Sequence, residues 1–190
     1  NASPVINVSG LSPIGLIISA AITQNAANIN AISKIGSGAM VLSSPNSTWT
    51  TGMTFNNANA GSIIIGASST PNTVGSTPTS GPLGVGTLTV GSTATNATLL
   101  SDGTAGRTIT NAVVLNNNLT FGGTAAGHGL TLNGTMDLGG ATRTLTVTSP
   151  QVTTTIGGVI SNGGINKAGE GILILGNAAT TDKGETQLAI

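Results

Sequence analysis

Side chains able to move a proton or hold a metal are few in this chain. Asp102, Asp137, Glu170, Asp182 and Glu185 are its only acids, and His128 is its only histidine, in 190 residues. Two carboxyl groups facing one groove would suit glycosidic cleavage, in which one protonates the leaving oxygen while the other attacks or activates water. Only Asp182 and Glu185 are close in sequence, beside Lys183, and that trio reads as a solvated turn. His128 lies between glycines in "AGHGL". No serine or cysteine stands near it in the arrangement a nucleophile and its base require, so it reads as a turn residue. The glycine-rich stretches lack both the Lys-Ser/Thr pair and the following helix of a phosphate-binding loop. The chain has no cysteine, which removes disulfides and thiolate zinc sites together. No Asp-bearing nonapeptide points to calcium. The expectation is a chain that is not an enzyme, with no catalytic, cofactor-binding or metal-binding residues.

Two lysines stand out because they recur. Asn30 to Ser43 reads "NAISKIGSGAMVLS" and Gly163 to Gly176 reads "GGINKAGEGILILG". Ile32, Lys34, Gly36, Gly38, Met40 and Leu42 fall on Ile165, Lys167, Gly169, Gly171, Leu173 and Leu175 at a constant offset of 133 residues. In an extended strand the isoleucine and the lysine two positions on share a face, and the glycines permit a tight turn or bulge. The last apolar pair then points inward at strand spacing. The unit is strand, corner, strand. A lysine present once per copy implies a structural role, with its stem along the sheet and its amine on corner carbonyls.

This pattern resembles the passenger-associated transport repeat, also called the autotransporter-associated β-strand repeat, of surface proteins secreted by the type V route. Asn30 and Ala31 stand where that repeat begins with a glycine pair, and Ser43 where it closes on glycine. The resemblance implies a right-handed parallel β-solenoid, or β-helix, placed extracellularly or on the outer cell surface of a Gram-negative-type bacterium. No translocator barrel is visible, and Leu188-Ala189-Ile190 reads as a strand cut partway, so a longer or processed parent polypeptide is expected.

Composition points to the same class. Only 5% of residues are charged, with five cations balancing five anions, whereas an ordinary domain carries about 25%. Ser, Thr, Asn and Gly must cover such a surface, and little self-repulsion keeps copies apart. Without a basic patch, and with 2% aromatics, nucleic acid is excluded as a partner. Leu11 to Ile22, "LSPIGLIISAAI", is the most apolar window. It is too short to cross a bilayer about 30 Å thick and reads as a buried strand pair.

Helix formers are scarce, and short runs of Thr, Val, Ile and Leu alternate with Gly, Asn and Pro, the pattern of closely spaced strands and turns. The fold expected is all-β: solenoid coils over 1–65 with the first repeat copy, and again over 87–190 with the second. The stretch 66–86, with Pro71, Pro78 and Pro82, reads as a loop leaving the rod or as a linker. Coils of about 20 to 25 residues would number roughly eight and stack to about 40 Å. Asn116-Asn117-Asn118 suggests amide ladders between coils. The alternative is a β-sandwich, since Asn133-Gly134 could close a hairpin.

Several runs are apolar on both faces, among them Leu16 to Ile18, Ile63 to Ile65 and Ile172 to Leu175. A solenoid interior takes one face only, leaving Ile172 and Ile174 for a folded-back loop or for another chain. The expected partners are copies of the chain itself or other surface proteins. Two functions follow: a structural or adhesive module that self-associates into a fibre or layer, or the stem and folding scaffold of a larger passenger whose activity lies elsewhere.

Overall fold

A computed structural model describes residues 3–10, 13–24, 30–123, 128–176 and 188–189, and it contains strands, turns and bends but no helix. The chain first lays down three two-strand turns: β1 (Val5–Asn7) and β2 (Leu16–Ile18), β3 (Ile32–Ile35) and β4 (Ala39–Leu42), β5 (Met53–Phe55) and β6 (Ser62–Ile65). Three-strand turns follow. They are β7 (Leu88–Val90), β8 (Thr98–Ser101) and β9 (Arg107–Ile109); β10 (Val113–Leu115), β11 (Leu119–Gly123) and β12 (Leu130–Leu132). Then come β13 (Met136–Asp137), β14 (Arg143–Val147) and β15 (Thr153–Ile156); β16 (Ile160–Ser161), β17 (Ile165–Ala168) and β18 (Ile172–Leu175); and finally β19 (Leu188–Ala189).

Each strand pairs in parallel with its counterpart one turn away. The first sheet is ordered β1-β3-β5-β7-β10-β13-β16, the second runs from β2 to β19, and the third contains β9, β12, β15 and β18. This is a parallel β-solenoid. Asn133-Gly134 closes no hairpin, because β12 and β13 lie in different sheets.

Period-two alternation decides what fills the interior. In the first sheet Ile32, Met53, Leu88, Val113, Met136 and Ile160 stand in one column, and none is more than 8% exposed. Met40, Ile63, Leu99, Phe121 and Val147 form the equivalent column in the second sheet. Residues between them, such as Thr54, Thr89 and Thr120, face outward and are half-buried. The only two phenylalanines, Phe55 and Phe121, are completely enclosed. Burying each such side chain contributes about 1.5–3 kcal/mol.

The apolar window near the N-terminus differs from expectation. It yields one described strand, β2, rather than a buried pair; Leu11 and Ser12 lie outside the described residues. β2 is the edge strand of the second sheet, so Ile17 faces outward at 62% exposure. Its row continues through Val41, Ile64 and Leu100, where neighbours above and below enclose Ile64 to 5%. The asparagine corners also differ in kind. Asn117 donates from Nδ2 to the Ser92 carbonyl, and the Asn118 Oδ1 accepts from the Thr144 N–H, so these amides join rungs through backbone. The amide-to-amide bond between rungs is Asn96 to Asn59, at 2.9 Å.

The third sheet is absent from the first three turns because their third sides are irregular. The 66–86 stretch is the largest departure, and it lies folded onto the rod. Its outgoing limb pairs with β9 through Ser69 N–H to the Thr108 carbonyl, and its returning limb pairs with the preceding turn through Val85 N–H to the Trp49 carbonyl. Thr70 and Ser80 bridge antiparallel between the limbs. Leu83 and Trp49 are buried at 1% and 2% exposure.

Close backbone approach at corners explains particular glycines. A Cβ on Gly134 would lie 2.1 Å from the Asn111 carbonyl oxygen, whereas one on Gly106 would meet nothing nearer than 3.9 Å. Gly134→Ala is expected to cost about 3 kcal/mol and Gly106→Ala less than about 0.5 kcal/mol, measured by urea unfolding. Equal losses would contradict the close-approach account of this corner.

Candidate functional site

The two repeat copies occupy different corners. β3 and β4 turn from the first sheet to the second, whereas β17 and β18 turn from the second to the third. Gly36 and Gly169 adopt left-handed backbone, with φ of 82° and 77°. This curls each Gly carbonyl back toward the lysine two residues earlier. Lys34 Nζ donates to the Gly36 carbonyl at 2.8 Å, and Lys167 Nζ donates to the Gly169 carbonyl. Both lysines face inward: Lys34 stands in the Phe55, Val90 and Leu115 column, and Lys167 in the Leu119 and Leu145 column.

Their surroundings then diverge. Lys34 is fully enclosed at 0% exposure. Its Nζ also donates to the carbonyls of Ala60 at 2.8 Å and Ile35 at 3.4 Å, and Ala60 belongs to the next rung. An ammonium held by carbonyls alone, with water removed, loses hydration that no carboxylate restores, and burial lowers the Lys34 pKa to about 8. Lys167 is half-buried and Glu170 beside it is exposed. Of the other repeat residues, Ile32, Met40, Leu42 and Ile165 are buried, while Leu173 is only partly buried and Leu175 is 37% exposed. Ile172 and Ile174 are 54% and 45% exposed, in register with Thr153 and Thr155 on the outer face of the third sheet.

The acids are dispersed. Asp102 pairs with Arg107 at 2.7 Å. Burial pushes its carboxyl up, but hydrogen bonds from Arg107 and Thr104 outweigh this and hold it below the usual carboxylate range. Asp137 Oδ1 accepts from Gly139 N–H at 2.7 Å and Asn162 Nδ2 at 2.9 Å, tying two corners together. His128 lends its backbone carbonyl to the Ser101 hydroxyl. Asp182, Lys183 and Glu185 lie outside the described residues. Among the described residues no three of His, Asp or Glu come together, and no helix is long and apolar enough to cross a membrane.

Sequence reasoning did not find one concavity beside the irregular side of the rod. It lies between the 66–86 excursion and the corner leading into the first sheet, a cavity of about 370 Å³. Thr50, Thr51, Gly86, Thr87, Thr110 and Thr135 supply hydroxyls and backbone on one side, and Gly75 to Pro78 form the other. The signal was present as the break in apolar rhythm at 66–86, but nothing local says where such a loop lands.

No family model, no curated protein and no solved structure matches the chain.

The buried amine makes stability depend on pH in a defined window. Between pH 8 and about 10.5 the unfolded chain holds a proton that folded Lys34 has released, so stability rises with pH, by at most about 3 kcal/mol. The chain has no Tyr or Cys to titrate there. Thermal unfolding from pH 7.5 to 10.5 should show the rise in the parent and lose it in Lys34→Met; a parent midpoint that stays flat or falls would refute the assignment.

Proposed function

We propose that this chain is a non-enzymatic structural or adhesive β-solenoid module, displayed on or released from the cell surface, that associates with copies of itself through the outward-facing apolar residues of β1, β2 and β18. One observation carries this reading. Among the described residues the large apolar side chains left exposed are Val5, Ile14, Ile17, Val74, Ile172, Ile174 and Leu175, and all except Ile14 and Val74 lie on β1, β2 and β18. Apolar rows beside unpaired strand edges are templates for association, and proteins that stay monomeric usually blunt such edges with charge or proline. Among the described residues of β17, β18 and the turn between them, Lys167 and Glu170 are the charged ones, too few for mutual repulsion to hold copies apart. The repeat spacing around Lys34 and Lys167, with its likeness to the passenger-associated transport repeat, supports the surface or extracellular location.

Sedimentation velocity over a hundredfold concentration range should show mass-dependent association of the parent protein, and negative-stain images should show rods longer than one molecule. Ile172→Lys combined with Ile174→Lys places two charges on exposed positions. It should return the protein to monomer without altering its circular dichroism. A parent that sediments as a concentration-independent monomer at low salt would refute the proposal.

A further inference from the structure

The cavity beside the excursion shares no lining residue with the exposed apolar rows of β1, β2 and β18, and its chemistry is different. Its floor is a row of residues that each precede a strand of the first sheet: Thr87, Ala112 and Thr135. The pairing of Leu88, Val113 and Met136 stacks them on successive rungs, so the two threonines stand about 10 Å apart. The alanine between them leaves a notch. Val85 and Pro78 add apolar surface.

The opposite wall is held in place by specific bonds. Gly75 N–H donates to the Asn133 carbonyl at 2.9 Å, and Asn133 Nδ2 returns a bond to the Asn72 carbonyl at 2.7 Å. Thr110 Oγ1 donates to the Pro71 carbonyl at 3.0 Å. Buried Asn111 fastens the returning limb, donating from Nδ2 to the carbonyls of Gly84 and Gly86 at 3.1 and 2.8 Å. The site is therefore largely preformed, which lowers the entropy a ligand must overcome.

Its hydroxyls divide into two groups. Those of Thr50, Thr51, Ser76 and Thr110 donate within the protein, to Gln24 Oε1 and the carbonyls of Asn30, Thr73 and Pro71, and retain lone pairs as acceptors. Those of Thr77, Thr87 and Thr135 make no side-chain hydrogen bond among the described residues, so they are able to donate as well as accept. No lining residue is charged or aromatic. Anions would find no cation and cations no carboxylate, while flat ring systems would find no stacking partner.

We propose that this groove binds a short stretch of neutral saccharide, about two rings long. A sugar presents hydroxyls that exchange donors and acceptors with threonine along its edge and C–H groups on its face for Ala112, Val85 and Pro78. With no acid in the lining, the site binds without cleaving. The inference gives chemical content to the adhesive part of the preceding reading. It is separable from it, because association is read by sedimentation and binding by spectroscopy.

The test is amide shift mapping of the full chain with cellobiose, maltose and chitobiose as probes, and with glycerol and digalacturonate as controls. At least one neutral disaccharide should produce saturable shifts at Gly75, Gly86, Gly134 and Thr135 that are insensitive to salt. Thr87→Val with Thr135→Val should weaken binding at least tenfold, and Ala112→Leu, which fills the notch, should abolish it with the circular dichroism unchanged. Absence of saturable shifts with all three sugars would overturn the proposal, as would equal shifts in Ala112→Leu or equal shifts from glycerol or digalacturonate at matched concentration.

Discussion

Backbone hydrogen bonding from one rung to the next is the interaction on which everything else in the molecule rests. Parallel pairing in unbroken register obliges each inward residue to stack on its counterpart about 4.8 Å away, so the core is a set of columns. Ile32, Met53, Leu88, Val113, Met136 and Ile160 make one of them. The same register brings corner backbones together, and Gly134 stands where any side chain would strike the Asn111 carbonyl. Columns tolerate changes of size among aliphatics, as this one shows, whereas the corner at Gly134 tolerates almost nothing beyond hydrogen.

Lys34 shows how a column accommodates a charge. Its stem occupies the space filled by Phe55 and Val90 in later rungs, and its amine reaches past the sheet to corner carbonyls that the left-handed Gly36 turns toward it. Burying an ammonium without a carboxylate is costly, and carbonyl dipoles from two rungs offset part of that cost. Lys167 repeats the local half of the arrangement at another corner, where it remains half-buried. One strand-corner-strand segment can therefore serve the passage from first sheet to second or from second to third, because all it specifies is a bend and a carbonyl to be capped.

The excursion over 66–86 fits the same logic. A solenoid adds residues at a corner or an irregular side without disturbing the ladders around them. Here β6 still pairs with β8 and β5 with β7 across the insertion. The inserted chain satisfies its backbone by lying against neighbouring rungs, and in doing so it borders a hydroxyl-lined space.

Much of this was legible in the residues themselves. Alternation in "TLTV" and "LTL", glycine at the bends and the scarcity of helix formers specify short parallel-capable strands, and the segment repeated at an offset of 133 residues marked Lys34 and Lys167 as corner residues. The apolar run near Ile17 was misleading, because hydrophobicity alone does not say whether a strand has a neighbour on its outer face. Local propensity and periodicity act over a few residues, so the sequence by itself determined strands, bends and the capped lysine corner. Which strands stack, how deeply Lys34 is enclosed and where the 66–86 chain lands depend on contacts between residues twenty to sixty positions apart, and only the tertiary structure decided those.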